Sequence, residues 1–381
     1  MRITRAGLLG LSLPLLLAAA PADVPAPDAT LRLTPTGDQA VTAPVRLPGV
    51  AAAPLQPPQP LSFGPQRISY PGNVEAVFDV TYGNLKGFRP LTLDLYQPQV
   101  HDGAMPLVVF VHGGGWNGGD TRHAASFPDF PRALAALAAQ GYVVASVSYR
   151  LTGEARFPGA VQDVKAAIRW LRGQARQLNI DTTRAAVWGD GAGGQVAALV
   201  GVTCGVSPFE PDQADNGERP SDCVQAVIDW GGATDLESLG GDKPEADKEA
   251  KADSGFAPPP TSDVGGFLGC EPARCAPMLA RMASPLAYIS STSPPFLIQH
   301  GATDKQVPSA QSQKLYDALR KDGVPVELLV YPELGSGFAK AGSPDAASLK
   351  AVQEKISGFL TQTFPPAPIG PRLAQPRGSV Y

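Results

Sequence analysis

A strand, a glycine-rich turn and a helix follow one another without a break near the centre of the chain. Residues 186–200 spell AVWGDGAGGQVAALV, in which an apolar strand ends at Trp188 and a helix starts at Ala192. Further short apolar runs alternate with segments of helical periodicity on both sides of this unit. Such alternation is typical of a mostly parallel sheet with helices on both faces, so the predicted fold class is α/β.

The apolar runs and the helical segments set the predicted order of elements. The first two strands are expected to form an antiparallel pair, and the later runs are expected to form the central sheet. Strands are predicted at Val74–Tyr82, Leu91–Tyr96, Pro106–His112, Tyr142–Tyr149, Ala185–Trp188, Val224–Asp229, Pro295–His300 and Val326–Tyr331. Helices are predicted at Val161–Leu178, from Ala192 onward, at Ser309–Lys321 and at Ala346–Thr363.

The two ends of the chain differ in composition from the part between them. Arg2 and Arg5, an apolar run at Leu8–Leu17 and the small residues Ala20 and Ala22 predict a signal peptide over residues 1–22. Residues 23–65 and 365–381 are rich in Ala and Pro and are predicted to be a disordered linker and tail. The α/β domain is therefore expected over residues 66–364, with a lid-like insertion at about 234–291.

A transmembrane anchor is the alternative interpretation of the first residues. The apolar run is short and is interrupted by Gly10, Ser12 and Pro14, which favours cleavage over a stable membrane anchor. We therefore expect a secreted or periplasmic protein. The formal net charge of −4 gives no reason to expect nucleic acid as a partner.

Four cysteines lie in one half of the chain. In the oxidising environment that an exported protein enters, they would form disulfides. An even number predicts two disulfides with three possible connectivities. We favour Cys204–Cys223 and Cys270–Cys275, because each pair brackets a polar, loop-like stretch. A zinc site is disfavoured, because Cys-x-x-Cys spacing and nearby histidines are lacking, so no metal ligand is assigned.

The central turn is similar to two known patterns, one of which it matches only in part. Gly-x-Ser-x-Gly is the nucleophile elbow, a sharp turn that lifts a serine above the sheet. Here the frame is Gly189-Asp190-Gly191-Ala192-Gly193, so the flanking glycines are present and the serine is not. The same residues match the dinucleotide fingerprint Gly-x-Gly-x-x-Gly. That interpretation is disfavoured, because the turn is mid-chain and the next strand, ending at Asp229, comes too late to supply the acidic residue.

A second glycine motif follows a predicted buried strand directly. His112-Gly113-Gly114-Gly115-Trp116 matches the loop whose backbone N–H groups stabilise an oxyanion in lipases and esterases. The N–H groups of Gly114 and Gly115 are the expected donors, with that of Ala192 as the third.

Several motifs occur in a fixed order along the chain. They are HGGGW at 112–116, SYRL at 148–151, QDVKAA at 162–167, WGDGAGG at 188–194 and HGATDKQVP at 300–308. Over about residues 74–363 the chain resembles the α/β-hydrolase carboxylesterases, near the hormone-sensitive-lipase and feruloyl-esterase-like groups. The resemblance implies an α/β-hydrolase fold and ester hydrolysis, and no cofactor is expected.

The family pattern also implies a serine, an acid and a histidine. Asp304 occupies the acid position, whereas Gly191 stands at the nucleophile position. The family histidine precedes Gly-Phe after a strand that ends in Tyr-Pro, and Ser336 stands at that position here. Trp116 and Phe338 border the expected cleft, where they either line an acyl or aromatic pocket or pack the loops.

No histidine follows Asp304 in the sequence, so none stands in the family order. His112 belongs to the glycine loop and His300 precedes the acid. His101 and His123 lie in early loops and are expected to be solvated. Asp163 and Arg150 are expected to form a buried structural pair.

Three hypotheses remain open. The chain is a catalytically inactive carboxylesterase relative, or an active secreted ester hydrolase with an unrecognised arrangement, or a non-enzymatic ligand-binding protein on the same fold. The first is favoured, because the hydroxyl and the imidazole are both missing. The expected partner is a small-molecule ester or carboxylate, and the sequence does not indicate an oligomeric state.

Overall fold

The computed structural model describes residues 66–101, 103–210, 220–239, 263–270 and 277–365. The predicted signal peptide, the whole predicted linker (23–65) and all of the predicted tail except Pro365 lie outside these ranges. A single nine-stranded sheet runs through the described residues in the order β1-β2-β3-β5-β4-β6-β7-β8-β9. Its strands are β1 Arg67–Tyr70, β2 Val74–Gly83, β3 Leu91–Pro98, β4 Met105–Val111, β5 Val143–Val147, β6 Ile180–Asp190, β7 Ala226–Trp230, β8 Phe296–Gly301 and β9 Val326–Tyr331.

The sheet changes from antiparallel to parallel after its third strand. β1, β2 and β3 pair antiparallel, as does β3 with β5, whereas all pairings from β5 to β9 across the sheet are parallel. The predicted fold class is confirmed. Because parallel strands end at the same edge, the loops after β4, β6, β7, β8 and β9 meet there.

Helices cover both faces of the sheet. The described helices are α1 Phe130–Ala138, α2 Gly159–Gly173, α3 Ala175–Leu178, α4 Ala192–Val202, α5 Leu236–Leu239, α6 Asp263–Leu268, α7 Pro277–Met282, α8 Ala310–Lys321 and α9 Ala346–Thr363. The first core lies between the sheet and α2, α4 and α8, and the second lies between the sheet and α1 and α9. β4 is buried along its whole length, because alternate side chains enter the two cores.

Several elements differ from the prediction. α5, α6 and α7 lie within the predicted insertion and were not predicted as helices, and β6 begins at Ile180, five residues before its predicted start. The helix predicted over Val161–Leu178 is two helices, because the chain leaves helical geometry at Gln174 between α2 and α3. β1 was not predicted, and it is a short edge strand whose side chains are partly exposed. α1 was not predicted either; Asp129 caps it by accepting the N–H of Arg132.

A buried ion pair and a disulfide nearer the surface have structural roles. Arg150 donates to Asp163 through two nitrogens, at 2.7 Å from Nη2 and 2.8 Å from Nε, as expected for a buried structural pair. A disulfide joins Cys204 and Cys223, the pairing favoured from the sequence, with Cα atoms 4.9 Å apart. Cys270 is also disulfide-bonded, while Cys275 lies outside the described residues.

Within the described ranges no helix has the length and apolar character needed to span a bilayer.

A buried carboxyl lies at the end of β7, beneath the start of α4. Oδ1 of Asp229 accepts the N–H of Gly232 at 2.9 Å, and Oδ2 has no hydrogen-bond partner among the described residues. Burial raises the pKa of Asp229 to about 7, and the nearby charge of Asp190 adds to the effect. The unfolded chain therefore releases this proton at a lower pH than the folded one. The folded state loses stability from this group as the pH rises from about 4 to about 7.

Asp229→Asn should make the free energy of unfolding less dependent on pH. Between pH 5 and pH 8 we expect the parent protein to lose about 2 kcal/mol relative to the variant, because only the parent must ionise this buried group. Urea unfolding at both pH values measures the difference. Asp322→Asn, at an exposed position, is the control. Equal pH slopes for the parent and Asp229→Asn would contradict the raised pKa.

Candidate active-site cleft

A cleft of about 700 Å³ lies at the carboxyl edge of the parallel strands. The loops that follow β4, β6, β7, β8 and β9 all contribute to its wall. Leu239, Asp263 and Val264, which belong to the insertion at about 234–291, also line it. This edge of an open α/β sheet is where ligands bind in such folds, so the cleft is the candidate functional site.

The turn between β6 and α4 has the geometry of an elbow. Gly191 has φ 54° and ψ −112°, a conformation that costs strain for any residue with a side chain. Its N–H donates to the carbonyl of Trp230 at 2.7 Å, which fixes the turn against the end of β7. A Cβ placed on Gly191 meets no described atom within 4 Å beyond its chain neighbours. Position 191 therefore has room for a side chain and lines the cleft.

The two flanking glycines are required by close backbone approach. A Cβ on Gly189 would lie 2.0 Å from the carbonyl oxygen of Gly193. A Cβ on Gly193 would lie 2.1 Å from the carbonyl oxygen of Val111 at the end of β4. Real Cβ atoms do not approach so closely, so the tight crossing of α4 over the sheet requires glycine at both positions. Dinucleotide binding is not needed to account for these glycines.

The HGGGW loop also lines the cleft, next to the elbow, where a Cβ on Gly113 would lie 2.8 Å from the carbonyl oxygen of Asp190. Nδ1 of His112 donates to the carbonyl of Gly113 at 2.8 Å, because a carbonyl oxygen only accepts. The ring stacks on Tyr149 with centroids 4.3 Å apart, and burial lowers the pKa of His112, so it is a neutral structural residue. Gly114 and Gly115 have φ values of 103° and 62°, outside the range that other residues favour.

The three predicted oxyanion donors line the same cleft. Among the described residues, no hydrogen-bond acceptor is bound to the N–H groups of Gly114, Gly115 or Ala192. That of Ala192 is the first N–H of α4, where a helix leaves its donors without internal partners. Amide donors in this state are available to a carbonyl oxygen that carries negative charge.

Trp116 and Phe338 line the cleft and also pack its loops. Trp116 stacks on Phe267 at 4.6 Å, and its Nε1 donates to Oε1 of Gln195 at 3.0 Å. Phe338 contacts Trp230 edge-on with centroids 5.1 Å apart. Both side chains are almost fully buried, so the two roles considered from the sequence coexist.

Asp304 lies in the loop after β8 and faces the cleft with a buried side chain. Its Oδ1 accepts the N–H groups of Gln306 at 2.7 Å and of Val307 at 3.1 Å. Oδ2 has no hydrogen bond among the described residues and lies 3.7 Å from Nε2 of His300. The structure thus holds this carboxylate by backbone N–H groups.

His300 is adjacent to Asp304 but both of its nitrogens are engaged. Nε2 is 2.9 Å from the carbonyl of Val307, so it carries the proton, and Nδ1 then accepts the hydroxyl of Ser312 at 2.6 Å. Burial lowers the pKa of His300 and keeps the ring neutral. This histidine has no free nitrogen with which to take a proton from a ligand.

Ser336 lies beside the loop of Asp304. The N–H of Thr303 donates to the carbonyl of Leu334 at 2.9 Å, which joins the loops after β8 and β9. The Ser336 hydroxyl donates to Oε1 of Gln306 at 3.0 Å, two residues beyond Asp304. The structure therefore brings the acid position and the base position to one side of the cleft.

Besides Asp263, two titratable residues of the cleft were not given a role from the sequence. His123 is exposed, as expected, but lines the cleft; its Nδ1 lies 2.8 Å from Oδ1 of Asp120. Asp190 accepts the N–H of Ala125 at 2.8 Å. Burial raises the pKa of Asp190 to about 6, with the charge of Asp304 adding to the effect. Neither contact leaves a pattern in the sequence, because both depend on the path of the loop after β4.

The remaining histidine lies away from the cleft. His101 is bonded to the carbonyl of Gly103 and to the amide of Asn179, both at 2.9 Å. In the described part of the chain, no group of three or more His, Cys, Asp or Glu side chains is placed to hold a metal ion.

Comparison with known proteins agrees with the geometry. The BD-FAE family model matches residues 93–319, and the prolyl oligopeptidase family model matches residues 277–364. Esterase LipC of Mycobacterium tuberculosis is 31% identical over 68% of this chain and 58% of its own length. Esterase LipQ of the same organism is 27% identical over 91% of this chain and 72% of its own.

A solved structure shows the same architecture. The thermophilic esterase Est2 of Thermogutta terrifontis has a TM-score of 0.58 and 25% identity, and the match covers 81% of this chain and 95% of that one. The sheet order, the elbow turn and the family match together lead to one assignment. The chain belongs to the BD-FAE family, among the carboxylesterases of α/β-hydrolase fold.

Proposed function

We propose that this protein is a carboxylesterase relative without serine-hydrolase activity that keeps its cleft as a binding site for a small carbonyl ligand. The observation that carries the proposal is the elbow at Gly191, which has the strained turn and the room for a side chain but no hydroxyl. Gly191 and Ser336 are interpreted as replacements of the nucleophile and of the base, and Asp304 as the remaining acid.

The two replacements remove the chemical step. Ester cleavage by this family needs a serine oxygen, which attacks the carbonyl carbon, and an imidazole, which takes the serine proton. The Ser336 hydroxyl takes up no proton at neutral pH. Loss of either group costs on the order of 10⁶ in kcat, and loss of both costs little more because they act as a unit.

The groups that would hold the ligand are retained. The N–H groups of Gly114, Gly115 and Ala192 lack protein acceptors in the described residues and line the cleft. A ligand carbonyl oxygen is therefore the expected acceptor, with Trp116 and Phe338 beside its apolar part. The relatives named esterases support the ester or another carbonyl compound as the ligand class.

Restoring both groups should restore hydrolysis. We expect Gly191→Ser with Ser336→His to hydrolyse p-nitrophenyl acetate at least about 10³-fold faster than the parent, because the nucleophile then has its base. Each single variant should remain near the parent rate. A fluorophosphonate probe should label position 191 only when serine is present there.

The matched control is Gly191→Ala with Ser336→His, which adds the strained Cβ without the hydroxyl. It should stay inactive and should fold like the restored variant by circular dichroism. Hydrolysis by the parent at an enzymatic rate, lowered by blocking the cleft, would contradict the proposal.

An active hydrolase with a relocated base is the second candidate, and His123 favours it. Its Nδ1 is held by Asp120, and its Nε2 has no hydrogen bond among the described residues. In this arrangement Nε2 would take a proton from water while the water oxygen attacks the ester carbon. The same proton would then pass to the departing alcohol.

His123→Gln separates the two candidates. If the relocated base operates, this variant should lower the parent's ester hydrolysis by about 10²-fold or more, since it removes the proton acceptor. His101→Gln is the control, because His101 does not line the cleft. Unchanged background hydrolysis in His123→Gln would eliminate this candidate.

We also propose that the protein is exported and cleaved after Ala22. The disulfide between Cys204 and Cys223 supports an oxidising compartment. Expressed in a bacterial host, the full chain should be recovered outside the cytoplasm with Asp23 as its first residue, by mass spectrometry of the intact protein. Recovery of an uncleaved cytoplasmic chain would contradict export.

A further inference from the structure

We propose that the cleft binds a protonated amine, with the ammonium group on Oδ2 of Asp304 and a ligand carbonyl on the N–H groups of the glycine loop. The inference rests on the proposed function, since it assigns a ligand to an acid that has no catalytic histidine. It goes beyond that proposal in naming a charged ligand class.

Asp304 is an anion with an unused oxygen. Its side chain is 7% exposed, and Oδ1 is bound by two backbone N–H groups while Oδ2 has no hydrogen bond among the described residues. The nearest titratable nitrogen, Nε2 of His300, is 3.7 Å away and directs its proton to Val307. A buried carboxylate oxygen that opens on a cleft is stabilised by a cationic donor from the ligand.

The other charges around the cleft have the same sign. Asp190 and Asp263 also line it, and no Lys or Arg is found among its described lining residues. The charge of Asp304 raises the pKa of Asp190, so the two carboxyls interact. His123 at the rim is paired with Asp120. The cleft therefore disfavours an anionic ligand and attracts a cation.

The N–H groups of the glycine loop would hold the carbonyl end of the ligand. Asp263 is held by the amide of Asn117 at 2.7 Å and stands beside Gly115, so the glycine loop also faces negative charge. The N–H groups of this loop would donate to a neutral carbonyl oxygen, which brings no second anion into the cleft. An amide or ester with an ammonium group at the far end could bind both Oδ2 of Asp304 and the N–H groups of the glycine loop. The ligand class expected from the sequence, an ester or a carboxylate, is thereby narrowed to cationic carbonyl compounds.

Amide probes test the inference by isothermal titration calorimetry. N-acetyl diamines with two to five methylenes carry the ammonium group. Each is paired with the uncharged N-alkylacetamide in which a methyl group replaces the ammonium group, N-pentylacetamide for the four-methylene compound. 5-Acetamidopentanoate is the anionic analogue of that compound. We expect the best ammonium probe to bind about tenfold or more tightly than its uncharged analogue. The anionic probe should bind most weakly.

Asp304→Asn should reduce the preference for the ammonium probe to below about threefold, because the amide removes the charge and keeps an oxygen on the backbone N–H groups. Asp317→Asn, an exposed carboxyl on α8, should leave the preference unchanged. Equal binding of charged and uncharged probes, absence of binding, or a preference that survives Asp304→Asn would overturn the inference. The parent protein alone decides the first two outcomes, so they do not depend on the folding of the variant.

Because the probes are amides, this readout is independent of ester hydrolysis. Hydrolysis of esters by the parent would contradict the proposed function and leave the amine preference measurable. Loss of the amine preference would contradict only the present inference.

Discussion

The close crossing of α4 over the parallel strands is the constraint on which the site depends. At Gly189 and Gly193 the backbones approach within distances that no Cβ tolerates, so the turn between β6 and α4 is fixed before any catalytic atom is considered. The same packing places the first N–H of α4 at the cleft and holds Gly191 in its strained conformation against Trp230. The turn is therefore a property of the scaffold and does not depend on a side chain at its central position, 191.

Chemistry and binding separate in this cleft. The backbone donors of the glycine loop and of α4 come from main-chain geometry, which side-chain replacement at Gly191 or Ser336 does not disturb. A catalytic nucleophile and its base are single side chains, so under the proposed function two substitutions suffice to remove the chemistry. Under the proposed function Asp304 is left without a catalytic histidine, because the ring of His300, 3.7 Å away, directs its proton to Val307, and a ligand in the cleft would then meet Oδ2 of Asp304 directly.

Most of the fold was predictable from the sequence because each central strand is a short apolar run between turn residues. β9 and α9 have the predicted bounds, although β9 is only half-buried. The errors have different causes: the well-buried α1 was missed, and two other errors fall at an exposed edge and at a break within a continuing pattern. β1 is an exposed edge strand, and the helical periodicity of Val161–Leu178 continues through the bend at Gln174. Gly189 and Gly193 could be recognised in the sequence as part of the elbow motif, because close backbone approach permits no other residue at these two positions.

The sequence by itself determined the fold class, the order of the motifs and the absence of a serine and a histidine at two positions. These are local properties, since each is carried by a short run of adjacent residues. Only the tertiary structure decided which groups share the cleft. It brought Ser336 beside the loop of Asp304, engaged both nitrogens of His300, and placed Asp190, Asp263 and His123 in the lining of the cleft. The physical reason is that strand order and loop paths set these distances, and no short segment encodes them.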